Sequence, residues 1–84
     1  MNLEIITPEK IVFQGTVKSV TLPGTLGSFQ ILTNHAPLIS TLTKGSLSYV
    51  SQNDELTELQ IEDGVAEVHN NRITVCVESV SNEQ

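Results

Sequence analysis

Apolar and polar residues alternate at a period of two along most of this chain, and the spacing typical of an amphipathic helix is weak throughout. The clearest run covers residues 73–78, where Ile73, Val75 and Val77 alternate with polar or small side chains. This pattern is typical of a strand that has one face on a hydrophobic core. We therefore predict that Val75 is buried, whereas Glu58, on the polar face of an earlier run, is exposed.

Turn-forming residues interrupt the alternation every several positions and divide the chain into about eight to ten short strands. We expect Asp63-Gly64 to form a hairpin turn. We also expect a β-bulge near Val17, which lies out of register with Val20. Residues 79–84 lose the pattern and are expected to fray. Further turns are expected at 7–10, 43–46, 52–55 and 70–71, and the strand after the first turn, over 11–13, is expected to end near Gly15.

The pattern predicts an all-β fold, a small antiparallel β-sandwich or flattened barrel. The sequence contains no internal repeat and no linker, so residues 1–84 are expected to form a single domain. One Tyr and two Phe, with no Trp, supply a thin core rather than an enclosed active-site cavity.

The chain carries ten acidic and four basic residues, a formal net charge of −6, and no Lys or Arg lies between Lys44 and Arg72. This sign of charge argues against a nucleic-acid partner, because phosphate binding needs basic residues. The acidic stretch from Asp54 to Glu67 is either a solvated face or a docking patch for a partner, and its composition favours the solvated face.

The chain has a single cysteine, so no disulfide can form within it, and a reducing compartment is the simpler expectation. No segment approaches the ~18 to 20 apolar residues that span a bilayer, and residues 1–5 lack the basic region of a signal peptide. We therefore expect membrane association to come through a partner rather than by direct insertion.

The residue types of metal and hydrolase sites are present, but their spacing argues against both. His35, His69 and Cys76 include no closely spaced ligand pair, so no metal site is predicted. Ser40, with His35 and Asp54, lies in a strand run without the Gly-flanked turn that presents a catalytic serine. No catalytic residue is predicted, and Cys76 is expected to be a small, half-buried hydrophobe.

One stretch, residues 22–42, combines short apolar runs with two breaks made of backbone-permissive residues. The first break contains Pro23, Gly24 and Gly27, of which Pro cannot donate to a strand ladder and Gly tolerates a positive φ. This loop lacks the Gly-Lys-Ser/Thr ending of a P-loop and opens no helix, so it predicts no phosphate or cofactor site. The second break contains His35.

In this stretch the sequence resembles the signature of the epsilon subunit of F-type ATP synthases, in which a Pro-Gly/x/x-Gly loop precedes an apolar pair and His-Ala-Pro-Leu. The first hairpin and the run from Gly45 to Tyr49 extend the resemblance over essentially the whole chain. The matching residues are Gly27, Phe29, Ile31, His35, Ala36, Pro37 and Leu38.

The resemblance implies a non-catalytic rotor subunit of a bacterial ATP synthase, reduced to its N-terminal β-domain without the C-terminal helical hairpin of the family. By resemblance, one side of the sandwich packs on the gamma subunit, and the loops around Gly27 and His35 press on the c-ring. Ring rotation would thereby be coupled to the catalytic head during proton-driven ATP synthesis, at the cytoplasmic side of the inner membrane. Family members that bind ATP in this subunit use the helical hairpin, so no bound nucleotide is expected here. The implied c-ring contact comprises Thr25, Leu26, Gly27, Ser28, Phe29, His35, Ala36 and Pro37.

The sequence leaves three points of this interpretation open. The two loops share one end of the sandwich only if the strand between them folds sharply back. His35 either hydrogen-bonds its own turn or contacts a partner. Many relatives carry an acidic residue where this chain has Ser28, so whether the ring contact is electrostatic here is also open.

The alternative function is a free-standing β-sandwich that binds a ligand, for example a peptide or a sugar. Such a module needs an aromatic platform, and at least two of Phe13, Phe29 and Tyr49 are expected to be needed in the core. A small enzyme is a third hypothesis, which the residue spacing disfavours.

Overall fold

The computed structural model describes residues 1–82 and shows an all-β fold, which confirms the predicted class. Within that range there is no helix, and hence none that is long and apolar enough to cross a membrane. The strands, numbered in chain order, are β1 (Asn2–Ile6), β2 (Ile11–Gly24), β3 (Gly27–Leu32), β4 (Leu38–Leu42), β5 (Gly45–Ser51), β6 (Leu56–Ile61), β7 (Gly64–His69), β8 (Arg72–Val77) and β9 (Val80–Asn82).

The longest strand, β2, connects the two layers of the fold. Its first half pairs with β1, and its second half pairs with β3 on one edge and β5 on the other. The prediction of a short strand that ends near Gly15 is wrong, because β2 continues through this residue, which pairs with Leu3. The predicted bulge is confirmed, since the β2–β5 ladder shifts register between Val17 and Ser19. The extra residue bends β2 and increases its twist, which helps it pass from one layer to the other.

One layer contains β3, β2, β5, β6 and β9 in that order, and the other contains β1, β8, β7 and β4. β2 also meets the second layer, because it pairs with β1 and because Gly24 lies opposite Leu42 of β4. Within residues 1–82 the ladders are antiparallel except β1–β8, which is parallel. This ladder departs from the antiparallel prediction because one edge of β1 is taken by its hairpin partner β2, and β8 reaches the other edge in a direction fixed by β7.

In the described part of the chain, alternating side chains from both layers form one core of sixteen buried apolar residues. Val75 is fully buried and Glu58 is exposed, both as predicted. No polar or charged residue in the described part of the chain is buried, so the core carries no desolvated polar side chain. At its margin the rings of Phe13 and Tyr49 lie 4.4 Å apart between centroids.

Asp63 and Gly64 do not form the predicted hairpin turn. β6 pairs with β5 and β9, whereas β7 pairs with β4 and β8, so this connection crosses from one layer to the other. Gly64 has no positive φ; it is needed because β8 approaches it closely. A Cβ at this position would lie 2.6 Å from Cγ1 and 2.9 Å from Cα of Val77, and closer still to the backbone oxygen of Cys76.

The hairpin that joins β7 and β8 agrees with the prediction. Asn70 and Asn71 form its two-residue turn with φ of 51° and 62°. Both values lie in the left-handed region, as a type I′ turn requires, and Asn tolerates this region better than most residues.

The end of the chain is more ordered than the predicted fraying over 79–84. Val80–Asn82 form β9, which pairs with β6, and the backbone N–H of Glu62 donates to the oxygen of Ser79. Val80 also packs against the core. The prediction of fraying is therefore wrong for β9, and residues 83 and 84 lie outside the described part of the chain.

Candidate interaction site

The β2–β3 hairpin projects a fully exposed leucine. Gly24 pairs with Gly27 across a two-residue turn of Thr25 and Leu26, and the side chain of Leu26 is completely accessible to solvent. Gly27 has a φ of 130°, which L-residues with side chains rarely adopt. At Gly24 a Cβ would lie 2.8 Å from both the Gly27 oxygen and the ring of Phe29, so this position also needs glycine.

Contacts with β4 hold this hairpin in place. The N–H of Thr25 donates to the oxygen of Thr41 over 3.1 Å, and the N–H of Thr43 donates to the oxygen of Pro23 over 2.9 Å. The hydroxyl groups of Thr25 and Thr41 share a further hydrogen bond of 2.8 Å. The exposed Leu26 is therefore displayed on a hairpin that is tied to both layers.

The turn after β3 is stabilised largely by its own atoms. The N–H of His35 donates to the oxygen of Leu32 over 3.1 Å, and its ring Nδ1 donates to the oxygen of Ala36 over 2.7 Å. Asn34 has a φ of 64°, and its N–H donates to Oδ1 of Asn71 over 2.8 Å. His35 is half-buried and hydrogen-bonds its own turn, which is the first of its two expected roles.

The eight residues of the predicted ring contact form two separate groups. Thr25 and Leu26 form the turn before β3 and Gly27–Phe29 are its first three residues, whereas His35–Pro37 follow the strand. β3 is a continuous six-residue strand without a sharp fold, so its first and last residues lie about 17 Å apart at a rise of ~3.4 Å per residue, with the hairpin turn before the first and His35 after the last. Phe29 is half-buried, and most of the other members are exposed. The structure does not bring the two groups together.

The lack of charge in this region is a further signal, which the sequence-based predictions above do not include. Between Lys18 and Lys44 the chain has no Asp, Glu, Lys or Arg, and we call residues 19–43 the uncharged segment. It contains three large exposed apolar side chains, those of Leu26, Leu32 and Ile39. Large exposed apolar side chains are a feature of protein-binding sites, and Ile39 lies directly opposite Glu67 of β7, so the uncharged segment borders an acidic strand.

The other chemically notable residues are dispersed. Ser40 donates its hydroxyl to the backbone oxygen of Thr41, and Asp54 pairs with Lys18 at 2.5 Å, so neither faces His35 as a triad would require. Cys76 is exposed on β8, and the expectation that it is half-buried is wrong because its position on β8 faces outward, opposite the buried Val75 and Val77.

A groove of about 460 Å³ lies between the β1–β2 turn and β9. Phe13 and Tyr49 line it, but the two rings pack against each other with an interplanar angle of 32° and Tyr49 is buried. This pair therefore offers little of the free aromatic face that a carbohydrate or peptide module would use.

The comparisons with known proteins agree with this fold. Residues 1–83 match the family model described as the ATP synthase delta/epsilon chain, beta-sandwich domain. The chain therefore belongs to the family of ATP synthase delta/epsilon beta-sandwich domains.

Its relatives include proteins named ATP synthase epsilon chain. The chain is 40% identical over all of its 84 residues to such a protein from Desulfosudis oleivorans, of which it covers 63%. It is 42% identical to one from Desulfatibacillum aliphaticivorans, with 92% of this chain and 55% of the relative aligned. A shorter relative from Chlorobium limicola is 40% identical, with 95% of this chain and 91% of the relative aligned. The chain thus spans between half and two thirds of the length of the Desulfosudis and Desulfatibacillum relatives.

Two solved structures share the fold at low identity. One is a chain of the Euglena gracilis mitochondrial ATP synthase, described as OSCP/F1/c-ring, with a TM-score of 0.90, 17% identity and coverage of 95% of this chain and 51% of that chain. The other belongs to the central stalk/c-ring of the Tetrahymena thermophila enzyme, with a TM-score of 0.80, 18% identity and coverage of 96% and 65%.

Proposed function

We propose that this chain is a non-catalytic subunit of the central stalk of a bacterial F-type ATP synthase. In this role it contacts the gamma subunit and the c-ring and couples ring rotation to the catalytic head. The observation that carries the proposal is the match of residues 1–83 to the epsilon-chain domain, together with relatives in bacteria that carry the epsilon-chain name. We propose that this chain, as a subunit of the F1 part, is peripheral to the membrane and lies on the cytoplasmic side of the inner membrane.

The β2–β3 hairpin is the part of the molecule best suited to contact the ring. Leu26 projects fully into solvent, and Ser28 beside it is exposed. Neither residue is charged, so this contact depends on packing and neutral hydrogen bonds rather than on ion pairs. Weak dependence on salt is the expected consequence, because screening acts on charged groups.

The turn that contains His35 then belongs to a different contact. It lies beyond the far end of β3, which is about 17 Å long at ~3.4 Å per residue, so we place it outside the contact that the hairpin turn makes with one small loop of the ring. We assign this turn and the exposed Ile39 on β4 to the surface that packs on gamma, since both belong to the uncharged segment. A stable contact with gamma needs at least ~1,000 Å² of buried surface. The uncharged segment is the longest stretch of the chain without Asp, Glu, Lys or Arg.

The domain is suited to carry force between these two contacts. Its core is apolar throughout, β2 pairs with strands of both layers, and β4 is bonded to the hairpin. Close-packed interiors have low compressibility and transmit strain with little deformation. A load applied at Leu26 is therefore passed to β4 without a flexible linker in between.

Disulfide crosslinking between introduced cysteines in the assembled enzyme tests the ring contact. With the exposed Cys76 first replaced by Ser and a second cysteine placed in the polar loop of the c subunits, a cysteine at Ser28 should form a disulfide with that loop under mild oxidation by a copper–phenanthroline catalyst and oxygen. A cysteine at Glu58, exposed on the outer face of β6, is the matched control and should form none. Crosslinking at Glu58 but not at Ser28 would place the ring on the acidic face and contradict the proposal.

A further inference from the structure

Strand β3 has one unpaired edge. Within residues 1–82 its ladder joins it to β2 and to no other strand, so its second edge lies at the border of the layer. In a strand, successive residues direct their N–H and C=O groups to opposite edges. One hydrogen bond of known direction is therefore enough to decide which residues of β3 direct their backbone groups to the unpaired edge.

Two independent hydrogen bonds give the same assignment. The oxygen of Leu32 accepts from His35, which is outside β2, so Leu32 faces the free edge. The oxygen of Pro23 accepts from Thr43, so Pro23 faces away from β3, and its partner Ser28 also faces the free edge. The ladder has no register shift. Ser28 and Gln30 therefore present four unpaired backbone groups, two N–H and two C=O, in one line.

This edge lacks the features that normally keep an exposed edge from pairing. It has no Lys or other charged residue, no Pro and no bulge, and it is six residues long. The opposite border of the same layer, β9, has three described residues. Natural proteins shorten, charge or distort their edge strands because a long, neutral edge is a template for another strand. A long, neutral edge strand is therefore typical of a strand that another chain covers in the assembled complex.

We propose that an extended segment of the gamma subunit adds to β3 as a further strand, bonded to the backbone of Ser28 and Gln30. The proposal rests on the proposed function, in which gamma packs against the uncharged segment. The edge begins beside the ring-facing hairpin and ends at the turn assigned to gamma, so it lies along the line between the two contacts. The added segment is expected to be uncharged, because the edge offers it no opposite charge.

Hydrogen exchange in the gamma-containing F1 complex tests the pairing residue by residue. In the free chain the amides of Ser28 and Gln30 should exchange rapidly, whereas those of Phe29 and Ile31, which face β2, should be protected. Exchange in the complex, followed by quenching and recovery of the chain, should show Ser28 and Gln30 slowed at least about tenfold, since a bonded amide exchanges only by local opening.

Two substitutions at one position give an independent measurement. Gln30→Pro removes the outward N–H without breaking a β2–β3 hydrogen bond, whereas Gln30→Ala removes the side chain and keeps the N–H. We expect Gln30→Pro to weaken binding to gamma about tenfold, the effect of losing one interfacial hydrogen bond and leaving its partner unpaired. Gln30→Ala should bind like the unaltered chain. Thermal melting shows whether both variants fold. If the Pro variant does not fold, the hydrogen exchange of Ser28 and Gln30 in the unaltered chain alone decides whether gamma adds as a strand.

The outcomes separate this proposal from the one on which it rests. If the chain does not bind gamma at all, the proposed function is wrong. If it binds but Ser28 and Gln30 still exchange rapidly, or if both Gln30 variants behave alike, gamma uses side-chain contacts and strand addition is refuted.

Discussion

Replacement of Gly64 by Ala tests the crossing between the two layers. Gly64 begins β7 directly opposite Val77 of β8, and the space for a Cβ is already occupied by backbone atoms. The nearest of them is the oxygen of Cys76, and Cα of Val77 would lie 2.9 Å away. Real Cβ atoms essentially never come this close, so β7 and β8 must separate at this point.

The size of the effect follows from which atoms have to move. Overpacking typically costs about 1 to 3 kcal/mol, and we expect about 3 kcal/mol here because the obstructing atoms belong to the backbone of a paired strand and cannot rotate away. For a domain of this length, about 3 kcal/mol lowers Tm by about 12 to 24 °C. Gly15→Ala is the matched control, because its Cβ would meet only the ring end of Phe13 at 3.0 Å. That variant should remain within about 1 kcal/mol of the unaltered chain, since a movable ring can yield.

Urea unfolding followed by far-ultraviolet circular dichroism measures both free energies. The matched pair is needed because each variant adds one methyl group to a strand glycine, so a general effect of alanine cancels. If Gly64 were instead the second residue of an ordinary hairpin turn, Gly64→Ala would cost only the ~1 to 2 kcal/mol of a left-handed backbone. A loss of that size or smaller, or equal losses for the two variants, would refute the crossing and the register of β7 on β8.

Two further predictions concern the core and the turns. Val75→Asp places a carboxylate without a partner between the layers and should prevent folding at ordinary temperature, whereas Glu58→Lys should change the free energy of unfolding by no more than ~0.5 kcal/mol. Equal thermal shifts of these two variants would contradict the register of β8. Asn71→Gly keeps the left-handed turn but loses the bond to Asn34 and should cost about 1 kcal/mol, whereas Asn71→Ala should cost roughly 1 kcal/mol more because Ala strains the same φ. Similar stabilities of the Gly and Ala variants in urea titrations would show that the backbone conformation contributes little.

Much of the local structure follows from the sequence because its causes are local. A period of two decides which face of a strand meets the core, and for this reason Val75 was correctly predicted to be buried and Glu58 exposed. Turn chemistry is local too: Asn70 and Asn71 accept a positive φ regardless of what surrounds them. The projecting hairpin of Thr25 and Leu26 belongs to the same class, since the glycines on either side of it fix its shape.

The choice of neighbouring strands is a different matter. The pattern that marks β6 and β7 as strands is the same whether they pair with each other or with strands distant in sequence. The Asp63-Gly64 connection could therefore be read as a hairpin although it crosses between layers. For the same reason the alternation does not reveal that β1 lies parallel to β8, or that Val80–Asn82 find a partner in β6.

The candidate site shows the same division. Its residues, their lack of charge and the exposure of the hairpin tip are properties of the uncharged segment, and the sequence by itself determined them. Only the tertiary structure decided that Leu26 and His35 lie at opposite ends of β3, and that Ser28 and Gln30 direct unpaired backbone groups outward. The physical reason is that pairing is a contact between residues far apart in the chain, and the free energy that selects it depends on the whole set of buried faces rather than on any one strand.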